Sequence, residues 1–260
     1  MTTADTFAKD PKPAEPFRLP DPPEEPEDKM TSFDHLAANG NAHHLAMHFG
    51  NPQTTLVTGD RYLVVRPTRS LAGSRYPDLL VAFGVDPALY DASNGYIIAD
   101  QGKPPDFVLE IASPRTGEVD TRDKPQDYAT LGIPEYWRFD ETGQYHGARL
   151  AGDRLEHDRY VPIPLEQLAD DILQGYSRVL NLNIRWERGR LGWYDPATGR
   201  HILTYDDQRA RADGELEARL QEREARLQEQ DARLQEREAR LQAEARVREL
   251  EEELQRLRNG

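Results

Sequence analysis

The chain contains no cysteine in 260 residues, which excludes disulfides and thiolate metal sites and makes a reducing cytoplasm the expected compartment. It also lacks any apolar run near the ~18 residues that a membrane-spanning helix needs. Its first residues, MTTADTFAKDPKP, have no apolar stretch of the kind a secretion leader carries. No glycine-rich phosphate loop, Ser-His-Asp pattern or dinucleotide fingerprint is present. Positive charge is scarce as well: the formal net charge is −14, and residues 1–30, 31–205 and 206–260 carry −4, −6 and −4. No segment is basic, so a nucleic-acid surface has to be local, drawn from side chains such as Arg61, Arg66, Arg69, Arg75, Arg115, Arg122 and Lys124.

What is present divides into three. Residues 1–30 hold seven prolines between Pro11 and Pro26, mixed with acids and almost no aliphatic side chains, the composition of a disordered, locally extended arm. Residues 31–205 carry the apolar patterning of a core. A helix is predicted over 41–49, and TTLVTG (54–59), RYLVVRP (61–67) and PDLLVAFG (77–84) alternate as strands. After a loop rich in Asp, Asn and Gly, VLEIAS (108–113) is a further strand. KPQDYATLG (124–132), with Pro125 at a first helical position and Gly132 just past the end, predicts a short helix. EYWRFD (135–140), YHGARL (145–150), DRYVPI (158–163), NIRWE (183–187) and LGWYD (191–195) complete the strands. This order predicts a domain with one mixed central sheet and a few helices on it, α/β or α+β.

Residues 206–260 differ in kind. EARLQER-EARLQEQ-DARLQER-EARLQAE (217–244) repeats every seven residues, with Leu220, Leu227, Leu234 and Leu241 in register. A helix of roughly 75 Å follows from the rise of about 1.5 Å per residue. The other seam position holds Glu217, Glu224, Asp231 and Glu238, so each heptad supplies one apolar seam residue where a coiled coil uses two. Glu215–Arg219, Glu222–Arg226, Glu229–Arg233 and Glu236–Arg240 are i,i+4 pairs in the favourable order. Only VRELEEELQRL (247–257) has proper 3-4-3 apolar spacing. Homo-oligomerisation through this coiled-coil-like helix is the expectation, with a lone solvated helix and a different partner as alternatives.

PPDFVLEIASPRT (104–116) sets one acid, Glu110, among Val108, Leu109, Ile111 and Ala112. Strand alternation puts Phe107, Leu109 and Ile111 on one face and Asp106, Val108, Glu110 and Ala112 on the other. Asp78 opens the earlier strand. Two carboxylates brought together from neighbouring strands repel by about 4 kcal/mol at ~4 Å for an effective dielectric near 20, a penalty that a divalent cation removes. Oxygen donors without cysteine favour Mg²⁺ or Mn²⁺ over Zn²⁺. The competing reading makes Asp78 the start of a turn and Glu110 a solvent-facing acid on an edge strand. His44 and His48 share a helical face, but no third ligand stands at metal spacing.

The blocks YPDLLVAFG, PPDFVLEIASPRT, DKPQDYATLG and IPEYWRFD, in this order and at these spacings, resemble the Uma-two family of putative restriction endonucleases, a branch of the PD-(D/E)XK nuclease superfamily. The resemblance covers about residues 33–205 and implies a restriction-endonuclease-like fold. It also implies a role for each matching position. Asp78 and Glu110, with a backbone carbonyl near residue 111, hold Mg²⁺ (or Mn²⁺), and Lys124 replaces the superfamily's strand lysine, whose place is taken here by Ala112. Tyr128, one helical turn on from Lys124, orients the lysine or a phosphate. The Glu-(Leu/Ile)-Asp-Gly-Glu segment common in the family has no counterpart here, Gly59-Asp60 being at most a remnant of it. Glu135 is a further candidate acid, and Trp137 is read as core.

Two functions follow. One is a Mg²⁺-dependent DNA endonuclease hydrolysing phosphodiester bonds with Asp78, Glu110, Lys124 and Tyr128. The other is a catalytically inactive nuclease-fold protein that binds nucleic acid or acts as an assembly scaffold through its C-terminal helix.

Overall fold

The computed structural model describes residues 17–21, 32–113 and 117–204, and in the C-terminal segment residues 218–230 with isolated positions between 214 and 255. It separates into two compact units, Met1–Leu203 and Thr204–Gly260. The expectations for residues 1–16 and 22–31, and for the seam at 247–257, lie outside the described residues.

The first unit opens with α1 (Ser32–Phe49), longer than the helix expected over 41–49. The strands β1 (Thr55–Thr58), β2 (Tyr62–Val64) and β3 (Leu79–Phe83) follow. The Asp-, Asn- and Gly-rich stretch expected to be a loop instead holds α2 (Pro87–Ser93), β4 (Gly95–Ile97) and the single turn α3 (Ile98–Gln101). Its polar residues serve as caps. The Asp86 side chain accepts from the Ala88 N–H, and Asn94 closes α2 in the left-handed conformation, a role that suits Asn. Then come β5 (Phe107–Ile111), α4 (Gly117–Arg122), α5 (Lys124–Thr130) and β6 (Glu135–Phe139).

A six-stranded sheet runs in the order β1-β3-β5-β6, continued by β7 (Leu150–Glu156) and β8 (Arg159–Pro162). β5 and β6 are parallel and every other pair is antiparallel. A parallel pair needs a crossover, and α4 and α5 form it. YHGARL, expected as a strand, is a loop up to Leu150, because Asp140 gathers the backbone N–H groups of Thr142, Gly143, Tyr145 and His146. A second sheet of five antiparallel strands, β9 (Leu165–Ala169), β10 (Ile172–Ser177), β11 (Leu182–Glu187), β12 (Arg190–Asp195) and β13 (Arg200–His201), packs on one face of the first.

β5 is buried on both faces. Phe107, Leu109 and Ile111 join Leu45, Trp137, Ile184 and Trp193 in one core. On the opposite face Val108 joins Leu80, Ala82, Tyr128 and Tyr136. Residues 17–21 depart from the solvated arm expected of them. Leu19 is buried against Val64 and Ile97, its N–H donates to the Ser93 carbonyl, and Asn94 Nδ2 donates to the Leu19 and Pro20 carbonyls. A single aliphatic residue, met by a capping asparagine, is enough to dock this part of the arm.

In the second unit residues 218–230 are helical. Glu222–Arg226 and Glu229–Arg233 make the expected i,i+4 ion pairs at 2.6 Å. Leu220 and Leu227 are more than half exposed in the single chain. Among the described residues no helix is long and apolar enough to cross a membrane.

Candidate active site

The β3–β5 ladder pairs Leu79 with Leu109 and Leu80 with Val108. Carried one residue outward, the same register sets Asp78 across from Glu110. Directly opposed antiparallel residues share a face, with Cβ atoms about 4.5–5.5 Å apart. This is the face occupied by Val108, Leu80, Tyr128 and Tyr136. The Ile111 N–H donates to Asp78 Oδ2 at 2.6 Å, which fixes the first acid to the strand of the second. Gly59 lies so close to Asp78 that a Cβ there would come within 2.0 Å of its carbonyl oxygen. The β1–β2 turn can therefore pass only as glycine. That turn also forms one wall of a polar cavity of about 470 Å³, lined by Asp60, Arg61, Tyr76, Tyr90 and Asp91 among others.

Glu110 is 1% exposed in a strand flanked on both sides, so the edge-strand reading does not hold. Both of its oxygens are engaged. Tyr128 donates its hydroxyl to Oε1 at 2.6 Å, and Lys124 Nζ lies 2.8 Å from Oε2. Lys124 is the first residue of α5, with Pro125 next to it in the first turn, and from this helix entrance its long side chain still reaches the strand. Lys124 and Tyr128 are four apart and present one helical face to Glu110. The structure thus brings all four sequence-derived residues, Asp78, Glu110, Lys124 and Tyr128, to one place.

Two residues that sequence reasoning passed over complete the cluster. Asp120, on α4, has no solvent exposure, and its Oδ1 lies 2.7 Å from Lys124 Nζ. His146, from the β6–β7 loop, places Nε2 3.1 Å from Asp120 Oδ2. The i,i+4 spacing of Asp120 and Lys124 was a readable signal, whereas nothing local to YHGARL points at His146. Glu135, by contrast, is no part of this site. It faces the other core, where it accepts from Trp137 Nε1, Ser177 Oγ and the Arg178 N–H. Alternation along β6 sends Tyr136 and Arg138 to the Glu110 side and Glu135 away from it. Trp137 is fully buried, as read.

The electrostatics follow from this crowding. Burial first, then the charge of Glu110, hold the Asp78 carboxyl well above its ordinary range, with the Ile111 N–H and Lys124 pulling the other way. Glu110 is likewise raised, by burial and then by Asp120, although Lys124 and Tyr128 offset part of the effect. Burial alone would lower Lys124, but the two carboxylates outweigh it and hold the ammonium protonated. Burial and the adjacent Glu110 charge keep Tyr128 a neutral donor. Among the described residues no three His, Asp or Glu side chains form a complete metal-binding group. The opposed Asp78 and Glu110 supply two hard oxygen donors, and Mg²⁺ is commonly held by one or two carboxylates with waters and substrate phosphate filling the rest of its shell. The residues present fit such an ion.

A mixed sheet with a parallel pair at its centre and helices on the crossover defines the class as α/β, with an acid on each of two neighbouring strands and a lysine on the crossover brought together beside it. The chain belongs to the Uma2 family, described as "Putative restriction endonuclease", whose model matches residues 28–184. Among solved structures, the chain is similar to a putative nuclease belonging to DUF820 from Anabaena variabilis. Identity is 13% over 54% of this chain and 74% of that one, with a TM-score of 0.37, a likeness too distant to add to the fold assignment. No curated protein matches the chain.

A raised carboxyl has a definite sign in stability. The protonated form of Asp78 is favoured in the folded state, so its contribution is fully present below the ordinary pKa of 3.8 and is lost as pH rises through the raised value. Without divalent cations, Asp78→Asn should therefore melt higher than the native chain at pH 7, by about 2–4 °C for each kcal/mol recovered. The gain should shrink on acidification and vanish below pH 3.8. Thermal melts across this range test it, and a lower melting point for the variant at pH 7 would contradict it.

Proposed function

We propose that this chain is a divalent-metal-dependent endonuclease that hydrolyses phosphodiester bonds in DNA. The observation that carries the reading is Glu110: a carboxylate buried in a central strand, opposite a second acid, and held by a lysine and a tyrosine from the crossover helix. Burying that much unneutralised acid is costly, and a phosphodiester-cleaving site gives it a use. Asp78 and Glu110 would hold Mg²⁺ or Mn²⁺, and such an ion supplies polarisation of the scissile phosphate and a more acidic water. Lys124 stays charged and offers its remaining proton to the phosphate oxygens as negative charge builds there. Tyr128, a neutral donor, fixes the rotamer of Glu110. Asp106, also on the strand face of Glu110, is committed elsewhere, to Lys103 and the Phe83 N–H.

The assay is cleavage of plasmid and duplex oligonucleotide DNA by the full chain with Mg²⁺ or Mn²⁺. Glu110→Ala should abolish cutting, and Lys124→Ala should lower kcat by about 10²–10³. Equal cleavage by Glu110→Ala contradicts the reading. Absence of cleavage by the native chain under either metal favours the scaffold alternative, to which Ala112 in place of the strand lysine already lends support.

The exposed Leu220 and Leu227 on a helix whose remaining faces are charged support self-association through residues 206–260. Sedimentation should give a mass above 29.7 kDa that falls to the monomer in Leu220→Glu/Leu227→Glu. A native chain that sediments as a monomer contradicts it.

A further inference from the structure

Lys124 serves the proposed chemistry only if its ammonium stays in place when Glu110 is occupied. In the structure Glu110 shares one oxygen, Oε2, with Lys124 at 2.8 Å. A divalent cation on the same carboxylate would repel the ammonium and compete with it for oxygen lone pairs, which weakens the hold of Glu110 on the lysine. Asp120 stands on the other side of Nζ at 2.7 Å. It has no solvent exposure, so salt and water screen that pair much less than an exposed one.

Asp120 is itself fixed from two directions. The Tyr136 hydroxyl donates to its backbone carbonyl at 2.8 Å. His146, whose side chain is 1% exposed, meets Oδ2. Among the described residues His146 Nδ1 has no hydrogen-bond partner, and Nε2 is the nitrogen that meets the carboxylate. The loop that delivers His146 is built for it. Asp140 accepts four of its backbone N–H groups, and Gly117 at the start of α4 lets the Tyr145 backbone approach to where a Cβ would lie 2.7 Å from its oxygen.

We propose that Asp120, braced by His146, is the positioning residue for Lys124: it anchors the ammonium beside the acids so that Glu110 is released to a cation. The inference rests on the nuclease reading for its purpose, while the anchoring can be measured without any turnover. A carboxylate serving only to tie α4 to α5 would not decide how the lysine behaves when metal is added.

The full chain has five lysines, Lys9, Lys12, Lys29, Lys103 and Lys124, so ¹⁵N-lysine labelling gives a tractable set of Nζ resonances, with Lys124 assigned by Lys124→Arg. An exchange-protected Lys124 ammonium signal should be present in the native chain with and without Mg²⁺, should persist in Glu110→Gln, and should be lost in Asp120→Asn. In cleavage assays Asp120→Asn should lower kcat about 10–100-fold, as loss of an outer supporting partner does, with KM changed less than about threefold and the metal concentration for half-activity unchanged. His146→Ala should show a smaller loss in the same direction and His146→Gln, which restores an N–H donor, should recover it. If Asp120→Asn does not fold, the His146 pair carries the same comparison. A Lys124 signal lost in Glu110→Gln but retained in Asp120→Asn, or native kcat in both Asp120→Asn and His146→Ala, overturns the proposal. Failure of the native chain to cut DNA removes the nuclease reading while the resonance comparison still decides whether Asp120 is the anchor.

Discussion

Lys124 stands between two carboxylates, Glu110 and Asp120, that have almost no contact with water. Each acid alone would be expensive to bury, and the ammonium alone would be pulled toward neutrality by desolvation. Together they form a connected chain from the neutral Tyr128 hydroxyl through Glu110, Lys124 and Asp120 to His146, with the ammonium standing between the two carboxylates. Removing its central cation would leave two uncompensated buried charges, a loss of about 3–5 kcal/mol for a broken buried pair. Asp78 sits beside this chain and accepts from the Ile111 N–H. Burial first, and then the Glu110 charge, hold its carboxyl up.

The fold is arranged around this cluster. A parallel β5–β6 pair obliges the chain to cross over the sheet, and the crossover is the pair of short helices that supplies Asp120, Lys124 and Tyr128. Because Glu110 lies near the carboxyl end of β5, the acids sit where α/β sheets usually offer a ligand a crevice. The opposite face of β5 packs against the five-stranded sheet through Phe107, Leu109 and Ile111. This makes β5 rigid on one side while it carries charge on the other. The loop after β6, held on Asp140, closes the far end by bringing in His146.

Much of the site was legible before any coordinates. Asp78 and Glu110 could be named as candidates from local pattern, an acid after a proline at a strand start and an acid inside an apolar strand, whereas Lys124 and Tyr128 entered through the resemblance to the Uma-two family. The alternation of VLEIAS placed Glu110 on the right face, yet could not say whether that face met water, since burial of a strand on both sides depends on partners far along the chain. His146 was invisible for the same reason. Its role comes from a loop shaped by Asp140, in a stretch that alternates well enough to pass for a strand. Glu135 misled because its neighbours in EYWRFD carry the family resemblance, while strand alternation turns it toward Ser177 and the Arg178 N–H in the other core. α2 and β4 were hidden because Asp, Asn and Gly mark loops on average, and here they cap a helix that covers the sheet edge and receives Leu19.

The central claim is that Asp78 and Glu110 form one divalent-cation site with Lys124 held beside it. Calorimetric titration of Mn²⁺ into the full chain tests this most directly. The native protein should show one binding event per chain, lost in Asp78→Asn and in Glu110→Gln and retained in Asp120→Asn. Binding that survives unchanged in both Asp78→Asn and Glu110→Gln, or no binding by the native chain at millimolar Mn²⁺, would contradict it.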